Sequence, residues 1–206
     1  MTMSNTAFET ANVFRSAATS LADSLTRAVV QVRTRETGSG GAGLIWESGA
    51  TGLVVTNAHC VPRRGTVEVC SEGRWREARV IAYHPPHDLA LLAFSSLRVG
   101  RPTLERRDAE SLRAGELLFA HGHPLGVRDA LAMGVLHEVA RDRRTGAPRW
   151  IVADIRLAPG NSGGPLVDAE GRLVGINSMV VNGLGVAVPA ALVQQFIERV
   201  LARLAA

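Results

Sequence analysis

Short apolar runs punctuated by glycine and proline dominate the sequence, and they restrict the fold more than any other feature. Runs of this length with turn residues between them are typical of antiparallel strands, not of alternating βαβ units. The pattern therefore predicts an all-β fold of two packed antiparallel halves, barrels or sandwiches, within 206 residues. The runs are residues 42–46, 52–56, 66–69, 79–83, 89–94, 117–120, 130–139, 150–154, 165–168, 172–178 and 185–188.

Helical periodicity is confined to the two ends of the chain. Near the amino terminus, apolar residues recur at spacings of three and four, and near the carboxyl terminus an apolar stripe follows Pro189, which suits a helix packed across a barrel. A polar, charged segment with Pro102 separates the β halves. We expect a single domain with a helix at 6–27, a first barrel at 28–96, a linker at 97–115, a second barrel at 116–188 and a helix at 189–206.

Composition limits the classes of protein and partner. Hydrophobic residues make up 46% of the chain and charged residues 20%, as in ordinary folded domains. The amino terminus lacks a signal-like pattern and no apolar run is long enough to cross a bilayer. We therefore expect a cytoplasmic protein that does not bind membranes, or an exported one if the sequence has been trimmed. The net charge of +4 comes from arginine clusters that could attract nucleic acid, but no stacking aromatics accompany them and we expect no such partner.

A serine lies in a glycine-rich turn, residues 159–166, that leads into an apolar run. A hydroxyl is a weak nucleophile at neutral pH, so Ser162 would need a neighbouring base. The turn could aim the amides of Gly160 and Ser162 at one point, where they would stabilise an oxyanion. Read alone, the segment could also be a plain tight turn.

A histidine and an aspartate occupy strand ends in the first half of the chain. His59 follows an apolar strand, and Asp88 precedes another. At a strand end, an imidazole could reach a cleft as general base, and a carboxylate bonded to it would fix its tautomer. Each residue taken singly could have a purely structural role.

The three motifs together, in the order His59, Asp88, Ser162, resemble chymotrypsin-like serine peptidases. The segments 56–59, 88–90 and 160–165 look most like the HtrA, or DegP-type, branch, and the resemblance spans about residues 28–200. It implies two six-stranded β-barrels with the active site between them. It also implies an endopeptidase that cuts unfolded or extended proteins through an acyl-enzyme, with Ser162 as nucleophile, His59 as base and Asp88 as orienting carboxylate.

The same resemblance assigns substrate-binding roles. Residues 174–178, with Asn177 and Ser178, resemble the strand that lies along the substrate backbone. Gly185 resembles a residue lining the primary specificity pocket, and Arg156 falls where trypsin-like enzymes place the pocket base, although its side chain could equally point to solvent. Family members need no cofactor, and no metal ligand set accompanies His121 and His123.

Some features depart from the HtrA pattern or leave alternatives open. The HtrA pattern would place a PDZ domain after the C-terminal helix, and we expect none in this protein. Cys60 and Cys70 could pair, but we expect two free, buried thiols. A chaperone-like protein that binds peptides with little turnover is the alternative to an active protease. Phe8 and Phe14 could form the contact of a homotrimer such as relatives form, although burial against the protein's own barrel is the simpler expectation.

Overall fold

The chain folds into two antiparallel barrels flanked by helices in the computed structural model, which describes residues 5–35, 38–47, 51–95 and 103–206. Helix α1 (Asn5–Ala28) leads into the first barrel, whose strands close in the order β1-β2-β3-β6-β5-β4. Pairing of Gln31 with Cys70 joins the first strand to the fourth and closes the ring. The strands are β1 (Val29–Arg33), β2 (Gly40–Glu47), β3 (Thr51–Thr56), β4 (Thr66–Ser71), β5 (Arg74–His84) and β6 (Leu89–Ser95).

The second barrel has six strands as well and closes in the order β10-β11-β12-β9-β8-β7. Helix α2 (Ala190–Ala205) begins directly after its last strand, where Pro189 ends the ladder. The strands are β7 (Leu117–Gly122), β8 (Ala130–Arg141), β9 (Pro148–Asp154), β10 (Pro165–Asp168), β11 (Leu173–Val181) and β12 (Leu184–Pro189). The predicted fold of two barrels with a helix at each end is confirmed.

The segment that connects the barrels is held to the second one. Residues 97–102 of the predicted linker lie outside the described residues. Further on, the backbone amide of Arg107 donates to Leu173, and its guanidinium bonds Glu116 and the buried Asp168. Backbone hydrogen bonds and ion pairs therefore both hold the described part of this connection to the second barrel.

One apolar cluster spans both barrels and helix α2. Leu91 of β6 and Ile176 of β11 are fully buried in it, together with Val193 and Ile197 of the helix. Burial of an aliphatic side chain stabilises the fold by about 1.5–3 kcal/mol. Helix α2 therefore joins the two barrels.

Helix α1 packs on the second barrel through its last turns. Leu25 is fully buried against Phe119 and Val167. Phe14, by contrast, is 53% exposed, so the expectation that it is buried against the protein's own barrel is wrong, because the buried stripe runs through Leu21 and Leu25 instead. The side chain of Phe8 lies outside the described residues. Neither α1 nor any other described helix has the length and apolar character needed to cross a bilayer.

His121 links helix α1 to strand β7 from a fully buried position. Its Nε2 lies 3.3 Å from the hydroxyl of Thr26. Desolvation lowers the pKa of His121 to about 4, with a smaller contribution from the nearby His123. The folded protein therefore holds this imidazole neutral at pH values where the unfolded chain would bind a proton.

We expect the free energy of unfolding to fall as the pH drops from 6.5 towards 4. Over that range the unfolded state takes up a proton that the folded state excludes, which costs up to about 3 kcal/mol. In urea titrations at a series of pH values, His121→Gln should flatten this dependence. The exposed His137→Gln should leave it unchanged; equal slopes in wild type and His121→Gln would contradict the assignment.

Candidate active site

His59 and Asp88 meet because the strands that carry them are neighbours. Strand β3 pairs with β6 so that Thr56 lies opposite Ala90, which brings the end of one strand beside the start of the other. His59 lies in the helical turn Ala58–Cys60 that follows β3. Asp88 has a left-handed backbone, φ 52°, in the turn just before β6. The barrel register therefore places the two side chains together.

The imidazole is held by the carboxylate at short range. Nδ1 of His59 donates to the two oxygens of Asp88 at 2.8 and 3.0 Å, and the backbone amide of His59 donates to Oδ1 at 3.1 Å. Asn57 donates its side-chain amide to the backbone carbonyl of Asp88 at 2.8 Å. Because Nδ1 is committed to Asp88, Nε2 of His59 is the ring atom left to exchange a proton with a substrate or nucleophile.

The pair is electrostatically coupled. The hydrogen bond with Asp88 raises the pKa of His59 well above its ordinary value of 6.5. Burial alone would raise the pKa of Asp88, but hydrogen bonds from His59 and Ser178 outweigh burial and hold that pKa below its ordinary value. In the resting site the pairing therefore favours imidazolium beside carboxylate.

Ser178 connects the second barrel to this pair. Its hydroxyl donates to Oδ2 of Asp88 at 2.5 Å, while its backbone carbonyl accepts a bond from the hydroxyl of Ser162 at 3.1 Å. The sequence indicated a substrate-binding role for Ser178. The structure adds a contact with the carboxylate, which only the folded arrangement of the two barrels could reveal.

Ser162 lies in the turn between β9 and β10, against the first barrel. Its carbonyl accepts a bond from the amide of Ala42 at 2.7 Å, and the amide of Gly163 donates to Asn177 at 2.9 Å. Gly163 has φ +84°, and a Cβ there would lie 2.1 Å from the carbonyl oxygen of Ala42. Only glycine permits this approach.

The hydrogen bonding of the Ser162 hydroxyl is that of a resting site. Within the described part of the chain, this hydroxyl bonds the carbonyl of Ser178 and makes no hydrogen bond with His59. Neither the amide of Gly160 nor that of Ser162 donates to another described backbone group. Two donors are thus free beside the nucleophile, as an oxyanion site requires.

His59, Gly160, Ser162 and Ser178 line one open cavity of about 410 Å³. Apolar side chains form much of the remaining wall: Leu157, Met179 and Val180. Sequence reasoning missed these three residues. The apolar run 179–181 directly after Ser178 was the available signal, since it extends the strand beyond its predicted end.

The other predicted substrate-binding residues lie outside the cavity wall. Arg156 is exposed, whereas its neighbour Ile155, just after the end of β9, is buried. Gly185 lies behind the wall, where a Cβ would approach Leu157 to 3.0 Å and Ile155 to 2.7 Å. Gly185 therefore affects the cavity only through the space it leaves for Leu157.

Asn177 is fully buried beneath the turn that carries Ser162. Its side-chain amide donates to Pro165 at 2.9 Å, its backbone amide donates to Gly164, and its carbonyl accepts from Gly163. Its position indicates support of the nucleophile turn, not direct contact with a ligand.

The sequence analysis also singled out two cysteines and a pair of histidines, which lie beside this site or apart from it. Cys60 and Cys70 are free, buried thiols, and Sγ of Cys60 lies 3.9 Å from the carbonyl of Ser162. His121 and His123 are buried with ring centroids 6.1 Å apart. Among the described residues, no three side chains of the metal-ligating types come close enough together to hold an ion.

An aspartate-bound histidine and a serine in a glycine-rich turn, placed between two six-stranded barrels, define the chymotrypsin-like class of serine peptidases. A family model described as the trypsin-like peptidase domain matches residues 41–176. The chain belongs to this family, and the matched range includes His59, Asp88 and Ser162.

Comparison with individual proteins places the chain near the HtrA proteases. It is 33% identical over 178 residues to the putative serine protease HhoB of Synechocystis sp., covering 82% of this chain and 42% of HhoB. It is 34% identical to the mitochondrial serine protease HTRA2 of Bos taurus, covering 78% and 36%. It is 29% identical to the periplasmic serine endoprotease DegP of Salmonella typhimurium, covering 78% and 35%. The chain therefore spans less than half the length of these relatives.

A solved structure gives the same result. The HtrA-type protease AlgW with a tripeptide superposes with a TM-score of 0.73 at 29% identity, covering 86% of this chain and 62% of that one. The resemblance to HtrA proteases is thus confirmed, and the names of the relatives favour a protease over a chaperone-like protein with little turnover.

The expectation of a cytoplasmic protein is wrong. The relatives named above include a mitochondrial and a periplasmic protease, and further periplasmic DegP-like proteins match as well. The expectation rested on the first residues of a chain that spans only part of its relatives, so those residues carry no information about targeting.

Replacing Asp88 with asparagine should return the pKa of His59 towards 6.5, because the amide cannot stabilise imidazolium as the carboxylate does. NMR titration of the His59 ring protons measures the shift directly and requires no substrate. Ser178→Ala is the matched control, since it removes a partner of Asp88 but keeps the carboxylate on His59. An unchanged pKa in Asp88→Asn would mean that the pairing is not what perturbs His59.

Proposed function

We propose that this chain is the catalytic domain of a serine endopeptidase, with Ser162 as nucleophile, His59 as general base and Asp88 as the residue that orients His59. The observation that carries the proposal is one cavity that brings together the paired imidazole, the serine hydroxyl and two unused backbone amides. The family membership and the protease relatives support it. We propose that residues 1–206 act as one domain.

Catalysis begins when the Ser162 hydroxyl turns from the Ser178 carbonyl to Nε2 of a neutral His59. The oxygen attacks the scissile carbonyl while His59 takes its proton, and the amides of Gly160 and Ser162 bind the resulting oxyanion. Collapse of this intermediate breaks the C–N bond, and His59 gives its proton to the leaving amine. Water, deprotonated by His59, then hydrolyses the acyl-enzyme and regenerates the serine.

Extended or unfolded polypeptides are the substrates that the site favours. Strand β10 pairs with β11 only as far as Ile176, so the edge of β11 from Ser178 onward faces the cavity without a β10 partner. An extended substrate can add to that edge through its backbone. Leu157, Met179 and Val180 give the cavity apolar walls, which suits an aliphatic side chain before the scissile bond.

A homotrimer remains our proposal for the assembly. Val13 and Phe14 of helix α1 expose 70% and 53% of their surface, and exposed apolar side chains of this size can contact another protomer.

Labelling with a fluorophosphonate probe tests the proposed nucleophile. Wild type should be labelled at Ser162, while Ser162→Ala and His59→Ala should lose labelling and casein cleavage by a factor of at least about 10³. Circular dichroism checks that both variants are folded. Casein cleavage that persists in purified Ser162→Ala would refute the assignment.

The pH dependence of catalysis tests the role of His59. Only neutral imidazole accepts the proton of Ser162, and the pKa of His59 is raised in the resting site. We therefore expect kcat/KM to rise from neutral pH into the alkaline range, as measured with a peptide that has no titratable side chain. A profile that is level from pH 6 upward would contradict this role of the raised pKa.

A further inference from the structure

A second cavity begins on the other side of His59 from the serine. This cavity, of about 490 Å³, is lined by His59, Cys60, Val61 and Pro62 and reaches Arg64. It borders the active-site cavity at residues 39 and 40, since Ser39 lines one and Gly40 the other. His59 therefore stands between two adjoining cavities, only one of which contains Ser162.

A third cavity continues from the second. Arg64, Gly65 and Thr66 line both, and the third extends to Arg63, Arg79 and Tyr83 along strand β5. We call the second and third cavities together the leaving-group groove. No aspartate or glutamate is among the described residues that line it.

The charge of this groove is not neutralised by its surroundings. The nearby carboxylates Glu68 and Glu77 are bonded to Arg33 and Arg35. Arg63, Arg64 and Arg79 are exposed, and none of them forms an ion pair with a described residue. Of the four arginines that line the groove, Arg35 is paired with Glu68 and Glu77. The other three leave unpaired cations on a concave surface, where the low dielectric of the walls strengthens the field felt by a ligand.

The direction of the substrate follows from the chemistry proposed above. The acyl part is held beside Ser162 and the free amides, while the leaving amine must receive its proton from His59. The groove contains His59 but not Ser162, so it receives the chain that follows the scissile bond.

Resting on the proposed peptidase function, we infer that the leaving-group groove selects polypeptides with acidic residues after the scissile bond. Arg64 binds the first of these carboxylates, and Arg63 and Arg79 bind those further along. Apart from the imidazole of His59, Tyr83 is the only aromatic ring lining the groove in the described chain, while Val61, Pro62, Val80 and Ile81 supply aliphatic contacts. A peptide therefore fits better than stacked bases.

The test compares two quenched fluorescent peptides with the same acyl half, one with Asp and Glu after the scissile bond and one with Asn and Gln. Mass spectrometry confirms cleavage at the same bond. At low salt we expect kcat/KM to be about fivefold higher for the acidic peptide, and the ratio to approach one in about 0.5 M NaCl.

Single substitutions show which arginines cause the preference for the acidic peptide. Arg64→Gln and Arg79→Gln should each lower the ratio of kcat/KM for the acidic peptide to kcat/KM for the amide peptide, and Arg64→Lys should retain most of that ratio. Arg74→Gln is the matched control, because Arg74 is an exposed arginine on the same barrel that does not line the groove. Equal cleavage of the two peptides by wild type, or the same loss in Arg74→Gln, would overturn the inference.

A binding measurement separates this inference from the proposed function. Fluorescence anisotropy with Ser162→Ala compares the affinities of the same two peptides without cleavage. If wild type cleaves neither peptide and neither reacts with the fluorophosphonate probe nor cleaves casein, the peptidase proposal fails. Tighter binding of the acidic peptide would then still support the groove, and equal binding would still refute it. Tighter binding of an oligothymidylate than of the acidic peptide would refute it in favour of nucleic acid.

Discussion

The close approach of two backbones, at Ala42 in the first barrel and Ser162–Gly163 in the second, fixes the relation on which the site depends. The Ala42 amide bonds the Ser162 carbonyl at 2.7 Å, and the hydroxyl of Thr56 bonds the Ala42 carbonyl from the other side. A side chain on Gly163 would collide with both Ala42 and Thr56. Because Gly163 has no Cβ, the two backbones can approach this closely. The approach sets the distance between the barrel that carries the base and the barrel that carries the nucleophile.

Hydrogen bonds across the same boundary align the acid. Ser178 from the second barrel reaches Asp88 in the first, and the backbone of the same residue holds the Ser162 hydroxyl. A shift of one barrel against the other would strain both bonds at once. Protonation of His59 and the orientation of Ser162 are therefore coupled through Ser178, in addition to any direct contact between them.

The fold and the site were predictable where the signal is local. Glycine-punctuated apolar runs revealed the strands, and the short motifs around His59, Asp88 and Ser162 revealed the candidate centre through their resemblance to a known family. Side-chain direction was less accessible: Arg156 points outward because Ile155 fills the core, and Asn177 supports a turn from below. Phe14 illustrates the same limit, since a helical stripe shows which residues share a face but not how far along the helix that face is covered. The leaving-group groove keeps unpaired arginines because the nearby carboxylates pair with Arg33 and Arg35 instead. Composition does not reveal which charges pair.

Helix α2 affects how this protein unfolds. Its side chains complete an apolar cluster that contains residues of both barrels, so neither barrel forms its core from its own residues alone. Opening one barrel would expose apolar surface belonging to the other, and the cost of local opening rises accordingly. Although the two halves are separate as sheets, the shared cluster makes the stability of each depend in part on the other.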